Sequence, residues 1–518
     1  MLGKTKLLAC ASIAALAMAV PAMAAPKTSQ TSAPKAPSNQ ELLERIEKLE
    51  SQQQKSKDTI DKQRSRITVL EDKSNEVQWS LDNGRPQVKS GDGRFSMAIR
   101  ARFQADFAAF QQSKGLSTNG DLSSGANVRR AYFGVEGKVF RDFWYEFRLN
   151  FGGGNGIEAT DSYLNIARVM YTGIPHVRIN VGIIEPVFAA GLNVSSGALM
   201  FLERDPIDNA AAGAFGGADG RHGIEVSYFK ENMFRSGDNL IASAALTGAQ
   251  TGKPTSTALN QGHGPGGDEQ AQVMGRLAYR IWSNGQSNLQ VGATGARILN
   301  PAGQGKTTPA TLPSLGFSDR PGVRVDGTSL VSITVPNIDN ATMWGYDAEM
   351  NWRNFYLGGE YQRYEVKQTC GGAVACNPGT LASPHFSGWY VEGSWIITGE
   401  SKPYNATAMN NELGSWSIPK VTKPFSLDGH SWGAWEIAAR YSTLDLNNNP
   451  QLTGGQGGFA GGTQNLITIG VNWYLNNNVR IMVNDIIGNI EKRSATGVSN
   501  NLSGQNLNIV AARLQFQM

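Results

Sequence analysis

The chain has 518 residues, 40% hydrophobic and 17% charged, with 60 glycines and 3 cysteines. Glycine runs well above its usual ~7% and charge well below ~25%, so a string of soluble domains of ~150 residues, which the length would allow, fits poorly. Beyond residue 24 no apolar run approaches the ~20 residues of a membrane helix, which excludes a helical membrane protein, and a net charge of +4 is too small to argue for nucleic acid or any other partner.

Residues 1–24 read as a cleaved secretory signal: Lys4 and Lys6 precede an apolar core from Leu7 to Val20, and Ala22-Met23-Ala24 closes it. Cleavage removes Cys10. The two remaining thiols, Cys370 and Cys376, lie in a glycine-rich segment of an exported chain, where a loop-stapling disulfide is expected rather than a metal site. Residues 25–40 form a linker rich in Pro, Ser and Lys. From 41 to 78, alternating steps of four and three place Leu42, Ile46, Leu49, Ile60, Ile67, Leu70 and Val77 on one seam with Gln53, Ser56, Gln63 and Ser74. That is the heptad spacing of an α-helical coiled-coil stalk; its polar core sites weaken it unless chains are already held together, and a solvated single helix or spacer is the competing reading. Residues 79–93 form a second linker, with Asn83-Gly84-Arg85-Pro86 ending the helix.

From Arg94 the period changes to two. Phe95, Met97, Ile99, Ala101, Phe103, Ala105 and Phe107 alternate with polar or cationic residues including Arg100 and Arg102. Successive side chains of a strand point to opposite faces, so this long segment is apolar on one side and charged on the other. Length and alternation together predict an all-β fold, a transmembrane antiparallel barrel with lipid outside and water inside. Sixteen strands are expected near 94–110, 127–139, 143–151, 159–171, 177–184, 221–229, 239–248, 271–282, 287–297, 341–353, 355–366, 385–398, 431–446, 464–475, 478–490 and 506–518. With both ends periplasmic, even connections should be short and odd ones long. Phe140–Asp142 and Asn476-Asn477 are short and 298–340 is long, while 399–430 is long where a short turn belongs, either a periplasmic excursion or an undetected hairpin. The last strand alternates up to Met518 and closes against the first.

Parity also predicts the lumen. Arg100, Arg102, Arg130, Arg148, Arg178, Arg276, Arg280, Arg353, Arg440, Arg480 and Arg513 should point inward, and no clear strand puts an arginine in mid-membrane facing lipid. Clustered guanidinium groups favour anions and bind phosphate or carboxylate bidentately. The alternative is that they pair with lumen acids, of which Glu136, Glu146, Glu225, Asp347, Glu349, Glu392 and Glu436 are candidates, and merely stiffen the wall. Residues 185–220, too long and irregular for a turn, are expected to fold into the pore as its third external connection.

The ordered stretches Val128–Gly137, Gly182–Leu192, Phe201–Arg204, Gly388–Glu400, Gly433–Ser442 and Gly470–Leu475 resemble the phosphate-selective porin O/P family, a likeness running from about Phe95 to the C-terminus. The resemblance implies a homotrimeric, sixteen-stranded channel in the Gram-negative outer membrane, bathed in its lipid, with an inward-folded third loop. It also implies constriction residues at Arg102, at Arg129, Arg130 and Tyr132 of the Arg-Arg-Ala-Tyr stretch, and at Asp161, with Arg100 beside them by parity. Alternation sends Arg129 outward unless a bulge or the strand mouth lets both arginines contribute. Relatives selective for phosphate carry a lysine at the stretch matching Ser195-Ser196-Gly197, which this chain lacks, and their periplasmic lysines are here reduced to Lys138 and Lys230.

No catalytic motif occurs: there is no metalloprotease or phosphate-loop signature, the five histidines are scattered, and Gly152–Gly156 is followed by no helix. Neither an enzyme nor a cofactor or metal site is expected. Three functions remain: a porin for passive diffusion of small anions, phosphate or polyphosphate among them; a general non-selective pore on the same barrel; or an envelope tether contacting the cell wall through the stalk, its pore incidental.

Overall fold

A computed structural model of the protein describes residues 38–82, 84–113, 121–153, 164–216, 220–250, 270–301, 313–370, 381–410, 412–452, 457–492 and 504–518. The chain divides into two units, residues 1–71 and 72–518. The first contains most of helix α1 (Asn39–Asn75). Ser38 caps it: the Glu41 amide donates to the Ser38 hydroxyl at 3.3 Å while the Ser38 amide donates to the Glu41 carboxylate at 3.0 Å, a capping box. Leu42, Ile46, Leu49, Ile60 and Ile67 of the predicted seam are exposed.

The helix stops short of the expected stalk end, and the segment read as a linker is structured. Strands β1 (Val77–Asp82) and β2 (Arg85–Ser90) form a hairpin whose second strand pairs with the start of the barrel, Gln87 opposite Ala98. Gly84 turns this hairpin with φ +74°, a conformation open to glycine.

Each of the sixteen expected barrel strands is present. They are β3 (Ser96–Gln112), β4 (Gly125–Val139), β5 (Phe143–Asn150), β6 (Leu164–Tyr171), β7 (Val177–Ile184), β8 (Arg221–Glu231), β9 (Asn239–Gln250), β10 (Ala271–Ser283), β11 (Asn288–Asn300), β14 (Ile338–Trp352), β15 (Phe355–Gln368), β16 (His385–Ile396), β17 (Ala434–Asn448), β18 (Phe459–Tyr474), β19 (Val479–Glu491) and β20 (Gln505–Gln517). Consecutive strands pair antiparallel, and β20 closes on β3 from Leu507 opposite Gln112 to Gln517 opposite Arg102. Closure leaves the barrel no free edge, the condition for a sheet in lipid. Outward aromatic residues gather in two belts. Trp282–Trp352, Phe355–Trp395 and Trp435–Trp473 stack at the end carrying the chain terminus, and Trp344–Tyr361 and Trp389–Tyr441 lie at the other. Such belts mark the two membrane interfaces.

The lumen is filled from both ends. Connection 185–220 carries helices α2 (Ala190–Asn193) and α3 (Pro206–Ala214), and its residues Val187–Ala190 and Leu199–Leu202 are buried. Connection 298–340 holds a further hairpin, β12 (Leu315–Asp319) with β13 (Val331–Val335), which packs on α3 and β18. Inward positions near the external end are apolar rather than polar: Met343, Tyr364, Phe386, Leu444, Leu466, Ile486 and Ile509 join Phe215 and Phe317 in one core. Burying these loop residues against apolar wall positions is the hydrophobic gain that holds both external connections inside.

Connection 399–430, long where a turn was expected, contains no named strand among its described residues, only the bridge Tyr404–Trp416 and one at Ser426. It enters the lumen from the terminal end: Leu413 and Trp416 are buried, Trp416 Nε1 donates to Asn351 Oδ1 at 2.9 Å, and Lys402 pairs with Glu436 at 2.8 Å. Met200 and Phe201 from above meet Trp416 and Tyr404 from below in one apolar cluster.

Candidate functional site: a cation-lined cavity in the lumen

Strand β3 directs Arg100, Arg102, Gln104 and Asp106 inward, and register sets Arg102 between Tyr132 of β4 and Gln517 of β20. Below connection 185–220 lies a cavity of about 580 Å³. Arg85, Arg100, Arg102, Arg148 and Lys420 line it, with Glu412 the one acidic side chain in the lining. The cations differ in what they face. Arg100 Nη1 lies 3.0 Å from both Glu136 and Glu146. Arg85, contributed by the hairpin before the barrel, also pairs with Glu136, at 2.5 Å. Arg148 pairs with Glu185 at 2.5 Å and stacks over the Tyr132 ring at 4.8 Å.

Arg102 alone of the lining arginines has no carboxylate partner among the described residues. Its Nη1 and Nη2 donate to the hydroxyls of Ser196 at 2.6 Å and Ser195 at 3.0 Å, and its buried Nε has no partner. The loop thus fixes the guanidinium in orientation without cancelling its charge, where a lysine in the loop would instead add a second cation. Gly197 sits so close that a Cβ there would come 2.6 Å from Arg102 Nη2 and collide with the Gln517 side chain.

Arg129 and Arg130 go elsewhere. Register passes from Gln104 opposite Arg130 to Ala105 opposite Val128, leaving Arg129 as the extra residue of a bulge. Both side chains converge on Glu203 of connection 185–220, Arg129 at 2.8 Å and Arg130 at 3.7 Å, joined by Arg513 at 2.9 Å. Arg513 also grips Asp106 through two bonds of 2.6 and 2.7 Å. Burial alone would raise the Glu203 carboxyl, but Arg129, Arg130 and Arg513 outweigh it and hold it well below the ordinary carboxylate range. This buried network anchors the loop to the wall rather than facing the cavity.

The opposite wall bears acids. Arg276 pairs with Asp347 at 2.7 Å and Arg440 lies 3.7 Å from Glu392. In α3, burial and then the Asp205 and Glu360 carboxylates push Asp208 well above its ordinary value. Among the other predicted lumen arginines, Arg280 is neutralised by Glu231, whereas Arg178 and Arg480 are held by the loop carbonyls of Ala408 and Leu199, away from the cavity lining. Arg353 is a correction: it lies exposed in the turn after β14 with φ +53°, because the strand ends one residue before it. Arg297 and Arg363, outward on β11 and β15 near the external end, are arginines that face away from the lumen.

Asp161 and Cys376 lie outside the described residues, and Cys370 is disulfide-bonded. Parity singled out neither Arg85, hidden in an apparent linker, nor Lys420, nor the two serines that hold Arg102. Arg168, paired with Glu146 at 2.6 Å, does follow the alternation of β6.

A closed sixteen-stranded barrel with aromatic belts, an apolar exterior and a charged, loop-narrowed lumen defines an outer-membrane channel of the porin class. The chain belongs to the family described as phosphate-selective porin O and P, which matches residues 97–518. It is 22% identical over 444 residues to Porin O of Pseudomonas aeruginosa, covering 84% of this chain and 91% of that one. Among solved structures it is similar to an anion-selective porin from Comamonas acidovorans, with 13% identity, TM-score 0.47 and coverage of 82% and 100%. It is also similar to the outer membrane channel DcaP of Acinetobacter baumannii, with 10% identity, TM-score 0.42 and coverage of 83% and 99%.

Proposed function

We propose that this porin passes small anions by passive diffusion and holds phosphate transiently at Arg102. The observation that carries this reading is a guanidinium with no carboxylate partner among the described residues, fixed by two loop hydroxyls in a cavity lined by five cationic side chains and one acidic one. A group of that kind offers charge-assisted donors to an oxyanion without first breaking an ion pair. Family membership supports the same reading. In planar bilayers under a salt gradient, the reversal potential should lean toward anions, and added phosphate should block chloride current in a saturable way. A cation-leaning potential refutes it.

A non-selective pore is favoured by one feature, the cluster of acids formed by Asp205 and Asp208 of connection 185–220 with Glu360 of β15 and Glu392 of β16, and predicts a reversal potential near zero. We further infer a homotrimer in which α1 helices associate along the exposed Leu42, Ile46, Leu49, Ile60 and Ile67 and reach the cell wall. Deleting residues 41–75 should then loosen the envelope while leaving conductance unchanged.

A further inference from the structure

The lipid-facing surface carries an apolar depression. Register aligns Val226, Ala244, Gly275, Gly295 and Trp344 in one row across β8, β9, β10, β11 and β14, all pointing outward. The three central side chains are a methyl group and two hydrogens, while Val226 and Trp344 stand at the ends and Leu277 lies in the next row below. The result is an open apolar groove of about 730 Å³.

Its height in the membrane follows from the aromatic belts. Trp344 and Trp352 lie on one strand, eight residues apart. At ~3.3 Å per residue and a tilt of ~40°, that is a rise of ~20 Å. Arg297, opposite Thr342 and so one row above Trp344, lies ~5 Å higher still, at the edge of the ~25 Å apolar band. The groove therefore occupies the outer-leaflet hydrocarbon and Arg297 the headgroup level directly over it. The other outward cations nearby are matched: Arg363 lies 3.0 Å from Glu365 and Lys367 lies 3.6 Å from Asp339. Arg297 is exposed, lines the groove, and has no carboxylate partner among the described residues.

We propose that this groove is a lipid site, taking an acyl chain of a phosphorylated outer-leaflet lipid whose phosphate pairs with Arg297. The chemistry is complementary at both ends: an apolar trough buried among lipid tails receives hydrocarbon, and an unmatched guanidinium at headgroup level receives an anion. The site is separate from the lumen and does not depend on what the channel passes.

The test uses the delipidated full-length protein in detergent, titrated with lipid A or with zwitterionic phosphatidylethanolamine and read by native mass spectrometry. Arg297→Gln removes the charge. Gly295→Leu fills the trough, and a Cβ there would meet only the Met343 carbonyl oxygen, at 3.8 Å, so the barrel accommodates it. The native protein should bind lipid A in preference to phosphatidylethanolamine. Arg297→Gln should weaken lipid A binding roughly fivefold, the contribution of about one basic group at an anionic surface. Gly295→Leu should abolish the preference, and both variants should keep native chloride conductance. Equal binding of the two lipids by the native protein, or native lipid A binding by either variant, overturns the proposal. So does a change of oligomeric mass in Gly295→Leu with lipid binding intact, which would make the groove a contact between copies.

Discussion

Replacing Arg102 by alanine removes the cavity's one lining guanidinium that faces hydroxyls instead of carboxylates. Ser195 and Ser196 already hold the group in place, so an arriving phosphate meets an oriented donor and little ordering cost is added. Hydrogen bonds to a charged group contribute about 1.5–3 kcal/mol. At ~1.4 kcal/mol per tenfold, phosphate affinity should fall roughly 10- to 150-fold. The direct Coulomb attraction at ~4 Å, ~4 kcal/mol for an effective dielectric constant near 20, is an upper bound on the loss. The assay is half-block of single-channel chloride current by phosphate, with the reversal potential measured on the same membranes. Arg102→Ala should shift the half-block concentration by that factor and move the potential toward zero. Arg363→Ala, on the outer surface, should change neither. If Arg102→Ala blocks at the native phosphate concentration, a carboxylate-free guanidinium is not what binds the anion and the reasoning fails.

Glu203→Ala removes from a buried site the carboxylate on which Arg129, Arg130 and Arg513 converge, while Arg513 keeps its pair with Asp106. Breaking one partner from a buried pair costs about 3–5 kcal/mol, so thermal unfolding should occur well below the native midpoint. Asp208→Asn should act through pH. A carboxyl raised in the folded state is protonated in both states at acid pH and destabilises the fold as pH climbs above the unfolded value of ~3.9. The variant should therefore match the native protein near pH 3 and exceed it in thermal stability at neutral pH; a variant less stable at neutral pH would refute this. Shortening residues 402–418 to a tight turn should raise single-channel conductance, since Trp416 and Leu413 then no longer fill the lower lumen. Arg85→Ala should lower anion preference modestly, because Arg85 sits at the cavity lining while sharing Glu136 with Arg100.

The sixteen strands, their order and the face of almost every strand residue were legible in the sequence by itself, because alternation is imposed locally by the pleated backbone and by the contrast of lipid with lumen. Arg353 escaped for a local reason too, lying one residue past the end of its strand. Which cation is free was not legible. Arg513 and Asp106 meet across the closure of the barrel from positions 407 residues apart, and Glu203 reaches Arg129 and Arg130 from a folded-in loop. Arg85 joins the cavity because an apparent linker forms a hairpin on β3. The upper lumen, expected to be polar and wet, instead became an apolar core once two external connections folded into it. Periodicity along the chain determines which side of the wall a residue faces. Only tertiary structure decides whether its charge is cancelled, since neutralisation is a contact of a few ångströms between segments remote in sequence.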